Sequence, residues 1–266
     1  YCIAASVDAT RRRGRSSFGF LGRRIWRIYP PYWAAVAWFV VVIGGLDALG
    51  LERLHGEGHA LSLDSPADLD AIQWGGNLTL TEQWRPLVWR PPYGKIFTRI
   101  AWSLCYEEQF YFICFLVLLT VPKRLYGALA AVSVAAILTR VMASDTGRIH
   151  LIDGAFPYLW HEFAVGLAVY WRLNVAQTPA AKRGIDAALA VLAVIGLLSY
   201  FSTPVANSTA MSAAFGLVLI ALRGRDDRVE QSRWLTPLRA CGRRCYSVYL
   251  VHLPVCTVGS LWLYER

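Results

Sequence analysis

The chain has 266 residues, of which 56% are hydrophobic and 17% charged, and its mean hydropathy is +0.38. This composition is more apolar than that of an ordinary soluble domain and argues against one. The net charge of +9 would suit nucleic-acid binding, but no aromatic–basic platform accompanies the charge, which argues against that class too. The six cysteines include no CxxC pair, so we expect no disulfide framework.

The apolar residues come in blocks rather than at amphipathic spacing. Each block approaches the roughly 20 residues that a helix needs to cross about 30 Å of hydrocarbon. The predicted spans are 33–50, 102–121, 125–142, 155–172, 185–203, 207–222 and 245–263. We therefore expect an all-α fold: a polytopic transmembrane helical bundle of about seven membrane helices that forms a single domain over 1–266.

The basic residues predict the orientation of these spans in the lipid bilayer. If successive spans alternate in direction, 19 of the 27 Lys and Arg residues fall on one side. The positive-inside rule places that side in the cytoplasm. Residues 1–29 and 223–244 are therefore expected to be cytoplasmic, and the long connection 51–101 extracytoplasmic.

A polar and basic segment, 7–29, precedes the first predicted span. Pro30 and Pro31 suit the start of a helix, where a missing N–H needs no partner. On a helix, Arg24 and Arg27 share one face. Two guanidinium groups at a membrane edge can bind a phosphate, but they can equally be topogenic charges that reach the lipid headgroups.

The connection 51–101 is the only long one. Connections of this length either fold over something functional or are disordered, and its aromatic residues favour an ordered or membrane-apposed segment. His55 and His59 lie there in "HGEGH", which lacks the HExxH order of a zinc protease. We expect no metal site.

Glu107 and Glu108 sit side by side near the start of the second span, in "AWSLCYEEQFYF". A carboxylate is costly in hydrocarbon, so the pair is either a hydrated flank or a chemical site. Arg99 is a candidate partner. In a low-dielectric site two neighbouring carboxylates do not readily ionise together, and a carboxyl group that holds a proton can act as a general acid or base.

Two histidines fall within predicted spans. His161 and Glu162 open the span 155–172, where function and interface anchoring are equally good interpretations. His252 lies in the middle of the last span, where a buried histidine needs a partner, and we favour a structural hydrogen bond over catalysis.

Four segments in order, "RRIWRIYPPYW", "WSLCYEEQFYF", "FPYLWHEFAVGLAVYW" and "CYSVYLVHLPV", resemble the membrane acyltransferase-3 family. The resemblance extends from about residue 18 to 256. Its most specific part is the string from Trp102 to Tyr111, followed by the string from Arg24 to Tyr32. Family members are polytopic proteins that typically O-acylate extracytoplasmic glycans or small molecules, in reactions such as carbohydrate O-acetylation.

The resemblance implies a role for several residues. Arg24 and Arg27 match the arginine pair that contacts acyl-CoA, and Glu107 and Glu108 match an acidic pair in or near the active site. The residues expected to surround the substrate are Trp102, Ser103, Tyr106 and Tyr111. The family's catalytic histidine lies in an earlier membrane helix, and "YCIAAS" resembles the end of the helix that follows it. The resemblance thus implies about ten helices, of which the first are missing here.

The expected function is transfer of an acyl group, most simply acetyl, from acyl-CoA to a hydroxyl group, with no permanently bound cofactor. The expected location is a bacterial-type inner membrane. A proton-coupled transporter is the main alternative, because buried carboxylates and a histidine within a span are also typical of carriers. A noncatalytic membrane scaffold is the third.

Overall fold

The computed structural model describes residues 1–48, 65–89, 94–98, 100–198 and 204–264. Those residues are 84% helical and contain no strand. The predicted all-α fold is confirmed.

Helices α1 to α12 follow one another along the chain, with short 3₁₀ turns between some of them. Their bounds are α1 Cys2–Arg12, α2 Ser17–Ala48, α3 Ala71–Leu78, α4 Arg85–Val88, α5 Ala101–Thr120, α6 Leu125–Asp145, α7 Trp160–Asn174, α8 Pro179–Leu198, α9 Pro204–Leu222, α10 Asp226–Gln231, α11 Thr236–Arg243 and α12 Cys245–Tyr264.

Each of the seven predicted spans overlaps a long helix: α2, α5, α6, α7, α8, α9 or α12. Within the described residues, three segments are long and apolar enough to cross a membrane: Ser17–Gly45, Ala101–Thr120 and Pro122–Asp145. Helix α7 has only 15 residues, and the first two turns of α8 carry three charged side chains. Membrane-spanning helices are thus present, and the count of seven stays a prediction.

The prediction that a helix starts at Pro30 is wrong. Both Pro30 and Pro31 lie inside α2, which begins thirteen residues before Pro30, at Ser17. A proline removes one backbone hydrogen bond and crowds the preceding turn, but in a membrane helix neighbouring side chains can compensate. Pro30 and Pro31 leave the carbonyls of Trp26 and Arg27 without a helical donor, and at the next residue the hydroxyl of Tyr246 donates to the carbonyl of Ile28, at 3.0 Å. Residues 17–29 therefore belong to the helix rather than to a segment before it.

The chain divides into two compact units. The first comprises Tyr1–Leu21, Phe110–Ile152 and Phe156–Leu235. Its core lies where α7, α8 and α9 meet, around Val165, Val169, Leu189 and Ala213. Gly216 of α9 permits this approach, because a Cβ there would stand 2.7 Å from the Val169 side chain.

Polar contacts also hold the first unit together. Arg172 of α7 donates two parallel hydrogen bonds of 2.9 Å to Asp186 of α8. Asp8 of α1 is completely buried and accepts a hydrogen bond of 2.8 Å from the Tyr170 hydroxyl. Arg11 and Arg12 also contact the Asp8 carboxylate, at 2.8 and 2.6 Å.

The second unit comprises Gly22–Gln109, Asp153–Ala155 and Thr236–Arg266. The described part of 51–101 is ordered within it, as one of the two sequence interpretations expected. Asp70 and Gln73 form a capping box that starts α3. Further on, Arg85 donates two hydrogen bonds to the buried Glu82, at 2.9 and 2.8 Å, and this bond raises the pKa of the Arg85 guanidinium.

Candidate active site

The centre of the candidate site is a hydrogen bond between Glu108 of α5 and Tyr29 of α2. The Tyr29 hydroxyl lies 2.7 Å from Oε2 of Glu108 and 2.9 Å from the carbonyl oxygen of Thr79. Both side chains are half-buried. Tyr29 is twelve residues from Ser17 and sixteen from Gly45, or roughly 18 and 24 Å along the helix. The pair therefore lies near the middle of a candidate membrane span.

The Tyr29 hydroxyl has one hydrogen to share between Glu108 and the Thr79 carbonyl, and this has a chemical consequence. A tyrosine hydroxyl carries one hydrogen, and a backbone carbonyl can only accept. If Glu108 is ionised, Tyr29 donates to it. If Glu108 carries a proton, it can donate to Tyr29, which then donates to Thr79. The same three groups accommodate the proton in either place, which is the property that an acid–base site needs.

The turn that follows α3 is held against α2. The Tyr32 hydroxyl donates to the Asn77 carbonyl, and the Trp33 indole N–H donates to the Leu78 carbonyl, both at 2.9 Å. Leu80, just beyond, has a φ of +56°. This left-handed conformation is strained for a bulky residue and persists only where the surroundings impose it. The hydrogen bonds from α2 thus fix the position of the Thr79 carbonyl.

A second polar group joins α5 to α12. Ser103 and Tyr249 are hydrogen-bonded through their hydroxyl oxygens, and Tyr249 also donates to the Ile100 carbonyl at 2.6 Å. Glu107 is half-buried on the same helix and lies within electrostatic range of Tyr246. Ser103 and Glu107 are four residues apart, so they share one face of α5.

Tyr106 is buried, and its hydroxyl holds the loop before α7. It accepts a hydrogen bond of 2.6 Å from the Gly154 N–H and donates to Asp153 at 3.1 Å. Gly154 has a φ of +95°, and a Cβ there would stand 2.2 Å from the Gln83 carbonyl oxygen, so only glycine fits. Trp102, beside Tyr106, keeps 46% of its surface exposed.

The remaining predicted substrate residue, Tyr111, belongs to the first unit. It is buried and meets Phe20 edge-to-face, with ring centroids 6.2 Å apart. This is a packing contact. Ser103, Tyr106, Glu107 and Glu108 lie together in the second unit.

Arg24 and Arg27 lie on α2, about one and a half turns and half a turn before Tyr29. Arg24 is partly buried and Arg27 is exposed. Arg27 and Glu107 both act on the hydroxyl of Tyr246 electrostatically. The second unit thus brings Arg27 and the glutamate pair within electrostatic range of one side chain.

Other candidates from the sequence have different outcomes. His252 makes the expected structural contact, because its Nδ1 lies 2.6 Å from the Tyr249 carbonyl on its own helix. The expectation that it is buried is wrong, since its side chain is exposed. Arg99, His55 and His59 lie outside the described residues.

Sequence reasoning missed two groups. It singled out neither Tyr29 nor Asp8. For Asp8 the available signal was the spacing of Arg11 and Arg12, which follow it by three and four residues. No local signal marks Tyr29, because its partner lies 79 residues away.

The family comparison agrees with this geometry. An acyltransferase domain model (the acyltransferase-3 family) matches residues 2–265, which is essentially the whole chain. No curated protein and no solved structure gives a significant match. The chain, with its apolar helices, therefore belongs to the acyltransferase-3 family of membrane acyltransferases.

Proposed function

We propose that this acyltransferase moves an acyl group, most simply acetyl, from acyl-CoA to a hydroxyl group of an extracytoplasmic glycan or small molecule. The observation that carries the proposal is the Tyr29–Glu108 hydrogen bond near the middle of a candidate span. The setting that we propose is a bacterial-type inner membrane with 223–244 and the residues before Ser17 on the cytoplasmic side, since 17–29 belong to α2 and its candidate span. Acyl-CoA would reach the site from the cytoplasm and the hydroxyl acceptor from the opposite side of the membrane. The reacting group must then lie between the two membrane surfaces.

The proposed reaction joins the acceptor oxygen to the thioester carbonyl. The C–S bond then breaks, and CoA leaves as a thiol that takes up the proton lost by the acceptor hydroxyl. Glu108 and Tyr29 assist this transfer, because the pair holds a proton at either oxygen. Glu107 lies one residue earlier and contributes negative charge at the same place. The family resemblance implies a histidine as the principal base, which the pair would assist.

Arg24 and Arg27 are proposed to bind the phosphates of the donor. Guanidinium groups suit phosphate because each can offer two parallel N–H donors. Their position on α2, within about one and a half turns of Tyr29, orients the donor thioester toward the carboxyl group. Trp102 and Ser103 supply exposed aromatic surface and a hydroxyl on the acceptor side.

The first experiment measures the reaction itself. Purified protein containing this chain is given acetyl-CoA and a panel of hydroxylated acceptors, and free CoA is detected with a thiol reagent. We expect CoA release that depends on the acceptor. Counterflow of an unmodified substrate, with no CoA release, would instead support the transporter.

The second experiment tests the donor site. We expect Arg24→Ala combined with Arg27→Ala to raise the KM for acetyl-CoA by about tenfold or more, since a hydrogen bond to a charged group contributes about 1.5–3 kcal/mol. Arg23→Ala is the matched control, because it removes a charge from the neighbouring position of α2. An unchanged donor KM in the double variant would leave the pair with a topological role only.

A further inference from the structure

A long apolar groove runs along α6 and α7 in the first unit. It consists of two adjoining cavities of about 370 and 420 Å³. Both are lined by Ala164, Ala168 and Ile185, so one continues into the other. The small alanine side chains of α7 create the space.

The groove follows one face of α6. The residues that line it recur every three or four positions: Tyr126, Ala130, Ser133, Ile137 and Arg140. This is the spacing of a single helical face. From Tyr126 to Arg140 the helix rises roughly 21 Å, which exceeds the ~15 Å of hydrocarbon in one leaflet. The groove is therefore long enough for a lipid acyl chain.

One end of the groove is polar. Arg140 and His161 both line it, and His161 is only 8% exposed. Neither ring nitrogen of His161 has a hydrogen-bond partner, which is costly for a buried polar group. The carbonyl of Tyr158 is close enough to act on His161 and accepts a hydrogen bond of 2.8 Å from Arg140, but no imidazole N–H meets it with hydrogen-bond geometry. A ligand with acceptor oxygens would satisfy the imidazole N–H.

The position of Arg140 fits a phosphate at headgroup depth. Arg140 lies five residues before the end of α6 at Asp145, or roughly 8 Å along the helix. The polar turn that follows contains Thr146, Gly147 and Arg148. Arginine near a helix end typically reaches the lipid headgroups. Its bond to Tyr158 uses one of the five guanidinium N–H donors.

We propose that this groove binds an anionic glycerophospholipid from the leaflet at the Asp145 end of α6. The lipid phosphate contacts Arg140 and the N–H of His161, and one acyl chain lies along the groove past Ala164 and Ala168. The positive charge at one end and the apolar walls of the remainder select this ligand over a soluble phosphate. The site does not depend on the proposed acyl transfer, because binding requires no turnover.

Native mass spectrometry of the purified, delipidated protein tests the proposal. Dioleoyl phosphatidylglycerol and dioleoyl phosphatidylcholine are compared at equal concentration, so that only the headgroup differs. We expect the wild type to retain at least about fivefold more phosphatidylglycerol. Arg140→Gln should bring retention down to the phosphatidylcholine level, while its amide can still donate to Tyr158. Arg148→Gln, which removes an exposed charge from the same end, should retain lipid as the wild type does.

Two further variants probe the groove and the histidine. Ala168→Phe fills the shared wall and should lower retention of both lipids. His161→Leu should keep or raise the thermal unfolding midpoint of the delipidated protein but reduce the increase that phosphatidylglycerol produces. Wild-type retention in Arg140→Gln, or an equal loss in Arg148→Gln, would overturn the proposal. If Ala168→Phe does not fold, the Arg140 and His161 variants still decide it.

Discussion

Asp8 and Glu108 are carboxyl groups that the fold shields from water, but their hydrogen-bond and charge partners differ. Asp8, in the first unit, is surrounded by two arginines and the hydroxyl of Tyr170. Glu108, in the second unit, has a hydrogen bond from Tyr29, and within the described residues it has no ion pair. The side-chain chemistry is nearly the same, so the partners decide the role.

Neighbouring cations stabilise the charged form of Asp8. Burial alone would raise the pKa of this carboxyl, but the hydrogen bonds from Arg11 and Tyr170 and the charge of Arg12 outweigh it, so the pKa lies below its ordinary value. A carboxylate fixed in this way stabilises structure. Glu108 has a hydroxyl in place of the cations, so its proton can be exchanged, which is what catalysis needs. The comparison predicts that the two positions respond oppositely to the same substitution.

The largest expected effect is on turnover at Glu108. Glu108→Gln keeps the shape of the side chain but cannot take up a proton. We expect kcat for CoA release to fall by about 10²–10⁴-fold, the usual contribution of a general acid or base, at an unchanged thermal unfolding midpoint. Steady-state assays and thermal denaturation in the same detergent measure both quantities.

Asp8→Asn provides the matched control for that variant, since it is also a change from carboxyl to amide. It should leave the kcat of the folded protein within about twofold. The comparison fails if Glu108→Gln turns over at the wild-type rate, or if Asp8→Asn loses as much activity as Glu108→Gln.

The next effect is on stability at Asp8. Asp8→Asn removes the charge that Arg11 and Arg12 surround, and it weakens the acceptor of Tyr170. We expect the free energy of unfolding to fall by about 1–3 kcal/mol, because both arginines are partly exposed and regain water. Thermal denaturation measures the loss. The control is Asp226→Asn, which breaks an exposed pair with Arg223 and should leave the free energy of unfolding almost unchanged. Equal losses of unfolding free energy in the two variants would contradict the structural role of Asp8.

The smallest effect is the pH dependence of that loss. A depressed pKa contributes stability above the unfolded value of about 3.9, and the contribution disappears as the pH falls through the lower folded value. The difference in unfolding midpoint between wild type and Asp8→Asn should therefore be constant between pH 7 and 5 and shrink below about pH 4. A difference that grew on acidification would have the wrong sign for a carboxyl stabilised in its charged form.

Local pattern predicted much of the fold and failed where distant residues intervene. Apolar blocks located α5, α6 and α12 closely, because hydrophobicity determines helix position in a bilayer. The start of α2 was misplaced, since local rules treat Pro30 as a boundary. The sequence alone does not reveal that α2 continues through both prolines, or that Tyr246, 218 residues later, donates to the Ile28 carbonyl beside them.

In the candidate site, too, the residues marked by a local pattern were predicted and those defined by helix packing were not. Glu107 and Glu108 were identified because charge in an apolar run is visible locally. Tyr29 was not, since one tyrosine among thirteen becomes distinctive only when a partner from another helix lies 2.7 Å away. Pair geometry of this kind depends on helix packing, which periodicity does not specify.

The discontinuous make-up of the second unit has a consequence for biosynthesis. Three separate stretches of chain build it, and the last begins at Thr236. The contacts of Tyr246 and Tyr249 with Ile28 and Ser103 therefore cannot form until the ribosome has synthesised α12. The glutamate pair enters the membrane many residues before its last neighbours do, so the nascent chain must hold two carboxyl groups at an incomplete site until α12 arrives.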